Sequence, residues 1–226
     1  MTKTGKPIPE RVFNAQKGGF VTGADSIIDD GLQKSQAEIN AILMSDAISV
    51  SLSASPSPVF VGVQYTIILG ASVNTAVNSI IIKKGSTTIA TGSGTSLNGS
   101  DSITPSVAGN TTYSAEFIVG STTKTTSKSV TAVYPIRIGT GASYVEGTPL
   151  STPKTSPAGT YNINVAENES YISFNVPSSM TIHGATMSGF EFPLEAPTNV
   201  TINGVAYKSY RSSNTYNAGT LTIVIS

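Results

Sequence analysis

Histidine and carboxylate side chains are the residues of this chain that could transfer protons near neutral pH. His183 is the only histidine, and no G-x-S-x-G turn is present to hold a serine nucleophile for it. Glu167 with Glu169, or Glu191 with Glu195, would have the residue types of a glycosidase acid and base, but sequence spacing does not define their separation in space. We therefore interpret the histidine as structural or surface-exposed and the glutamates as solvated, and expect a protein that is not an enzyme.

Metal and cofactor binding are also disfavoured. The chain has no cysteine, so a zinc site would have to replace the missing Cys and His ligands with carboxylates. Asp29 and Asp30 are adjacent rather than spaced like the ligands of a calcium loop. The glycine-rich stretch 139–143 lacks the lysine of a phosphate-binding loop, and we interpret it as a turn. The sequence predicts neither a metal nor a cofactor.

Aromatic and basic residues lie close together near the C-terminal end. Tyr207, Tyr210 and Arg211 are followed shortly by Tyr216. Aromatic rings beside an arginine are typical of a contact patch for a protein or a glycan. The alternative is that these rings pack on their own domain, and this is the interpretation that we favour.

Composition restricts the classes of partner. Lys plus Arg and Asp plus Glu number 13 each, so the formal net charge is zero and no basic stripe indicates nucleic acid or an anionic membrane as a partner. Charged residues make up only 12%, which is untypical of a highly charged disordered chain. No apolar stretch approaches the roughly 20 residues that span a bilayer, and we find no secretory signal. We expect a product that is released in the cytoplasm.

The first 24 residues predict an extended arm. Pro7 and Pro9 interrupt any regular period, and apolar residues are sparse. Val12, Phe13 and Phe20 are candidate anchors for a groove on another protein, whereas the alternative is a flexible terminus.

Residues 25–46 contain the only helical signal of the chain. Ser35 and Glu38 have the spacing of a capping box. Four apolar residues have heptad-like spacing, two before Ser35 (Ile28 and Leu32) and two after it (Ile39 and Ile42). Two interpretations stay open, an amphipathic helix packed on its own domain and a short oligomerisation helix that needs support from neighbouring domains.

Alternating apolar residues predict two β domains. Residues 47–134 contain about seven short strands, a number typical of an Ig-like sandwich, although the Cys–Trp–Cys core of antibody domains is absent. Ile103 and Val107 are predicted to share one of these strands. Residues 135–226 form a second, C-terminal β domain whose strongest hairpin signal is Asn203-Gly204.

Two segments resemble known virion proteins. Residues 112–117 and 124–136 (TYSAEF and KTTSKSVTAVYPI) look like the last hairpin of Ig-like domains in phage structural proteins, particularly those of Bacteroides and crAss-like phages. Residues 31–40 (GLQKSQAEIN) are similar to an N-terminal segment of such proteins. The resemblance implies a head fibre, a capsid decoration protein or a tail appendage of a virion that is assembled in the host cytoplasm.

The expected protein is therefore mainly β, with an extended arm, one short helix, an Ig-like β-sandwich and a second β domain. Its partners would be other virion proteins (capsid, portal or tail), bound through the arm, and further copies of itself, with a trimer favoured because phage fibres are commonly trimeric. A host surface protein or glycan is a further candidate partner. The alternatives are a tail fibre or receptor-binding adhesin, a bacterial surface adhesin with Ig-like modules, and a carbohydrate depolymerase, for which we find no credible acid–base pair.

Overall fold

A computed structural model describes residues 48–226 and four two-residue strands of the preceding part of the chain. These strands are β1 (Phe13–Asn14), β2 (Gly19–Phe20), β3 (Ile28–Asp29) and β4 (Lys34–Ser35). β1 pairs antiparallel with β2, and β3 pairs antiparallel with β4.

The paired strands β3 and β4 fall inside the stretch for which the sequence predicts a helix. Ile28 and Ser35 are register partners in this ladder, so the helix prediction is wrong for these two positions. Gly31, which lies between them, is a poor helix former. The other predicted seam residues, Leu32, Ile39 and Ile42, lie outside the described residues, as does the predicted anchor Val12.

Residues 50–133 form one mainly antiparallel, six-stranded sheet that we call the N-terminal unit. Its strands are β5 (Val50–Ser55), β6 (Val59–Phe60), β7 (Tyr65–Lys84), β8 (Thr87–Ile103), β9 (Gly109–Val119) and β10 (Thr122–Val133). They are ordered β5-β7-β9-β10-β6, with β8 on β7, and only β6 runs parallel to its neighbour.

The sheet of the N-terminal unit folds back on itself. β5 pairs with the first half of β7, whereas β9 pairs with the second half. β5 also lies against β10, with which it shares no hydrogen-bonded register. Register shifts between Ser72 and Val77 and between Val77 and Ile80 interrupt the β7–β8 ladder, and such irregularities bend strands. Residues 65–84 are therefore one bent strand that serves both halves of the sheet.

The apolar core lies between the facing halves of this sheet. Alternation along β7 and β9 turns every second side chain inward, because successive residues of a strand point to opposite faces. The fully buried side chains include Ile67, Leu69, Ile80, Ile82, Tyr113, Ala115 and Phe117. Val107 does not continue this pattern, since β8 ends at Ile103 and the Val107 side chain is 66% exposed. The prediction of a shared strand for these two residues is wrong.

Residues 137–225 form two further sheets that we call the C-terminal unit. The strands are β11 (Arg137–Gly141), β12 (Thr148–Pro149), β13 (Gly159–Val165), β14 (Tyr171–Pro177), β15 (Ala185–Met187), β16 (Phe190–Glu191), β17 (Thr198–Ile202), β18 (Val205–Arg211) and β19 (Gly219–Ile225). One sheet has the order β12-β11-β14-β18-β17, and the other has the order β13-β19-β15-β16.

The two sheets of the C-terminal unit share a second apolar core. Ile172, Phe174 and Val176 of the five-stranded sheet belong to the same buried cluster as Ile163 and Ile223 of the four-stranded sheet. This sandwich-like packing leaves the opposite face of β14 on the outside of the core.

Asn203 and Gly204 form the turn between β17 and β18, as the sequence predicts. Both residues have positive φ angles, which a two-residue hairpin turn of type I′ requires.

Candidate ligand-contact surface of the C-terminal unit

Two of the four predicted contact residues lie in the interior. Tyr207 is 3% exposed and Tyr210 is 4% exposed. The Tyr207 hydroxyl donates to the backbone carbonyl of Pro135 at 3.0 Å, and burial raises the pKa of this phenol. The Tyr210 hydroxyl accepts a hydrogen bond from the backbone N–H of Ile182 at 3.3 Å. Because neither side chain reaches the surface, the ligand-contact prediction is wrong for both, and the alternative of packing within their own domain holds.

Tyr216 is partly buried and packs on the second core. Its ring stacks on that of Phe192 with the centroids 5.2 Å apart and the planes inclined by 19°. Burial raises the pKa of the Tyr216 phenol. One ring face is therefore occupied by a core side chain.

Arg211 is the predicted residue that lies on an accessible surface. Its Nε and Nη2 atoms donate to the two carboxylate oxygens of Glu195 at 3.0 and 2.8 Å. Its guanidinium carbon lies 4.4 Å from the ring centroid of Tyr171. These hydrogen bonds lower the pKa of Glu195, which is exposed to solvent. The guanidinium is thus held between a carboxylate and an aromatic face, which fixes its orientation at the surface.

A row of polar side chains crosses the outer face of the five-stranded sheet next to Arg211. Arg137 is the register partner of Asn175, which is the partner of Ser209, and Ser173 lies opposite Arg211. Three of these side chains are nearly fully buried: Asn175 is 0%, Ser173 is 1% and Ser209 is 3% exposed. Sequence reasoning missed this row. The available signal was the alternation of serine and asparagine with apolar residues in β14, which gives that strand a polar face.

The glycine-rich stretch 139–143, which the sequence predicts as a turn, begins within a strand. Gly139 and Gly141 belong to β11 and are not a turn. A Cβ added at Gly139 would lie 2.9 Å from Cγ1 of Val145, and one at Gly141 would lie 2.7 Å from its Cγ2. The glycines therefore allow segment 142–147 to lie directly on the strand.

The N-terminal unit has a charged cluster around Asp101. Asp101 Oδ2 accepts hydrogen bonds from Lys84 Nζ at 2.6 Å and from the Tyr113 hydroxyl at 2.9 Å. Burial, followed by the hydrogen bond to Asp101, raises the pKa of Tyr113. An open groove of about 400 Å³ adjoins this cluster between Lys84 and the loop 104–107. The charges of Lys84 and Asp101 in this cluster are paired with each other, which is typical of a structural ion pair.

The side chains considered for proton transfer lie on the surface. His183, Glu167, Glu169 and Glu191 are exposed, and Glu195 is engaged by Arg211. Within residues 48–226 and the four short N-terminal strands, no group of three acidic or histidine side chains could hold a metal ion. The described part of the chain also contains no helix with the length and apolar character needed to cross a membrane.

No protein-family model matches the chain, and no curated protein is similar enough to it to count as a relative.

Proposed function

We propose that the chain is a non-enzymatic structural protein of a bacteriophage virion, a fibre-like head appendage or capsid decoration. In this proposal the arm of residues 1–24 binds a capsid, portal or tail protein, residues 25–46 mediate self-association, and the two β units project outward. Trimeric assembly is the state that we favour. The particle would be assembled in the host cytoplasm, and the projecting units would contact the host or another surface.

The observation that carries this proposal is the tandem arrangement of two β units, each with its own core. β10 ends at Val133 and β11 begins at Arg137, so only three residues connect the units. The Tyr207 hydroxyl donates to the carbonyl of Pro135, within this connection. Short, fastened connections between β modules suit a projecting stalk because they limit the relative motion of the modules.

The N-terminal unit is, in this proposal, an Ig-like sandwich. Support comes from the closing strand β6, which pairs in parallel with β10, and from the back-folded sheet whose facing halves share one core. The number and order of its strands agree with an antiparallel sandwich that has bent strands shared between its layers.

The test is the molar mass of the purified protein by light scattering, for the full chain and for a form that starts at Ala47. One chain has a mass of 23.3 kDa, so a trimer is readily distinguished from a monomer. We expect an oligomer for the full chain and a monomer for the shortened form, because the self-association segment is then removed. Far-UV circular dichroism of both forms is the control that the β units remain folded.

Attachment is tested in parallel by cosedimentation of the protein with phage particles that lack it. We expect deletion of residues 1–24 to abolish cosedimentation. A monomeric full chain, together with unchanged cosedimentation after this deletion, would contradict the proposed appendage. An oligomer that survives removal of residues 1–46 would instead place the self-association contacts in the β units.

A further inference from the structure

The polar row on the outer face of the five-stranded sheet contains three atoms with unused hydrogen-bonding capacity. Arg137 Nε, Ser173 Oγ and Asn175 Oδ1 are buried and find no partner among the residues that the structure describes. Buried polar atoms are partnered in the large majority of cases, since each unpaired one loses its hydration without replacement. Arg137 and Asn175 are register partners, Ser173 lies two residues before Asn175 in β14, and all three therefore face the same side of the sheet. One face of the sheet therefore carries three polar atoms whose hydrogen-bonding capacity a ligand could use.

Segment 142–147, which we call the strap, lies on β11 and contacts Arg137 and Asn175 of this row. Glu146 forms an ion pair with Arg137 at 2.8 Å. The Asn175 amide nitrogen donates to the backbone carbonyls of Val145 and Glu146 at 3.0 and 2.9 Å. The strap therefore pairs with Nη2 of Arg137 and with the amide nitrogen of Asn175. Arg137 Nε and Asn175 Oδ1 remain unpaired.

The chemistry of the three atoms restricts the class of ligand. Arg137 Nε is a donor, Asn175 Oδ1 is an acceptor, and the Ser173 hydroxyl is both. A carboxylate could not donate to Asn175, and an ammonium group could not accept from Arg137. A hydroxyl group donates and accepts, so neighbouring hydroxyl groups complement all three atoms.

We propose that this row is a saccharide-binding site that the strap closes. The inference rests on the proposed function, for which it names the chemistry of the surface contacted by the projecting C-terminal unit. Because the three atoms are buried while the strap is closed, the saccharide binds only after the strap is displaced. The apparent affinity is then reduced by the small fraction of molecules in which the strap is open.

Glu146→Gln and Ser173→Ala make this site testable because they act in opposite directions. Glu146→Gln removes the ion pair that holds the strap, favours the open form, and is expected to tighten binding about two- to fivefold, as estimated from the strength of exposed ion pairs. Ser173→Ala removes one hydrogen bond to the ligand and is expected to weaken binding about fivefold to tenfold. Glu191→Gln is the matched control, because it makes the same change at an exposed glutamate of the other sheet and should leave affinity unchanged.

The experiment applies the labelled full-length protein to an array of purified mono- and oligosaccharides from bacterial surface polysaccharides. Affinities for each retained saccharide are then measured by calorimetry for the wild type and the three variants, and thermal unfolding verifies that each variant is folded. We expect at least one saccharide to be retained, with the opposite changes in affinity described for Glu146→Gln and Ser173→Ala.

Two results would overturn the inference. The first is that neither the wild type nor Glu146→Gln retains any saccharide, with a high-resolution crystal structure showing water bonded to the three atoms, which would make the row an internal hydration site. The second is that saccharide binding occurs but is unchanged by Ser173→Ala in a folded variant. Particle attachment is scored separately by cosedimentation, so a protein that binds saccharide but not the particle contradicts the proposed appendage and leaves the site intact.

Discussion

Removal of the Tyr113 hydroxyl tests how the charged cluster stabilises the N-terminal unit. The ring of Tyr113 is fully buried, and its hydroxyl donates to Asp101 at 2.9 Å. A hydrogen bond to a charged group contributes about 1.5–3 kcal/mol. In Tyr113→Phe, Asp101 keeps its ion pair with Lys84 and is 15% exposed, so its desolvation is partly compensated. We therefore expect the free energy of unfolding at pH 7 to fall by about 1–2 kcal/mol.

The same hydroxyl makes stability depend on alkaline pH. Burial and the hydrogen bond to Asp101 raise the pKa of Tyr113 above its ordinary value of 10.0. Above pH 10.0 the unfolded chain releases this proton while the folded chain retains it, so the unfolded state binds fewer protons and stability falls as pH rises. One tyrosine contributes a slope of up to about 1.4 kcal/mol per pH unit in this window. The variant should lose that contribution, whereas below pH 10.0 the stabilisation is fully present.

Urea unfolding followed by far-UV circular dichroism at pH 7 and between about pH 10 and 11 measures both effects. The chain has no tryptophan, so dichroism is preferred to fluorescence. Tyr65→Phe is the control, because its hydroxyl accepts only a long, 3.3 Å hydrogen bond from the backbone N–H of Phe60. The reasoning is refuted if Tyr113→Phe lies within about 0.5 kcal/mol of the wild type at pH 7. An alkaline slope equal to that of the wild type would refute the assignment of the titrating group.

Two further pairs of variants test the core and the strap. Phe117→Ala, at a fully buried ring, should cost about 3–5 kcal/mol in chemical denaturation, whereas Phe190→Ala, at a ring that is 78% exposed, should change stability by less than about 0.5 kcal/mol. Similar losses of stability in the two variants would contradict the burial of Phe117 and the exposure of Phe190. Gly147→Ala places a Cβ 2.3 Å from the carbonyl carbon of Ile138 at a φ of +72° and should cost about 2–4 kcal/mol. Gly189→Ala, at a φ of +82° with open space, should cost only about 1–2 kcal/mol, and equal costs would show that the strap is not in contact with β11.

The strands were predictable where alternation is long and is bounded by turn residues. The alternation from Tyr113 to Val119 and the turn at Gly120 correspond to β9 and its hairpin with β10. The prediction that Val107 shares a strand with Ile103 was wrong because only two residues, beside Pro105, matched the alternation. So short a match does not distinguish a strand from a loop. The helix prediction was wrong at Ile28 and Ser35, which pair in a strand ladder. A capping pattern is only a weak local preference, and strand pairing overrides it.

The contact patch shows a different kind of failure. Tyr207, Tyr210 and Arg211 lie close together in sequence, but alternation along β18 sends Tyr210 into the core and the other two to the outer face. Tyr207 on that outer face is covered by the connection at Pro135, which no local pattern of β18 reveals. Only Arg211 is left on an accessible surface.

The sequence by itself determined the all-β character of the described units, because strand alternation and turn chemistry depend on neighbouring residues. Only the tertiary structure decided which polar residues meet. Arg137, Ser173 and Asn175 converge because β11 pairs with β14 across the intervening strands β12 and β13, and the strap contacts Arg137 and Asn175 because Gly139 and Gly147 allow two backbones to touch. Such pairings depend on how distant strands share one core, and no local pattern encodes that choice.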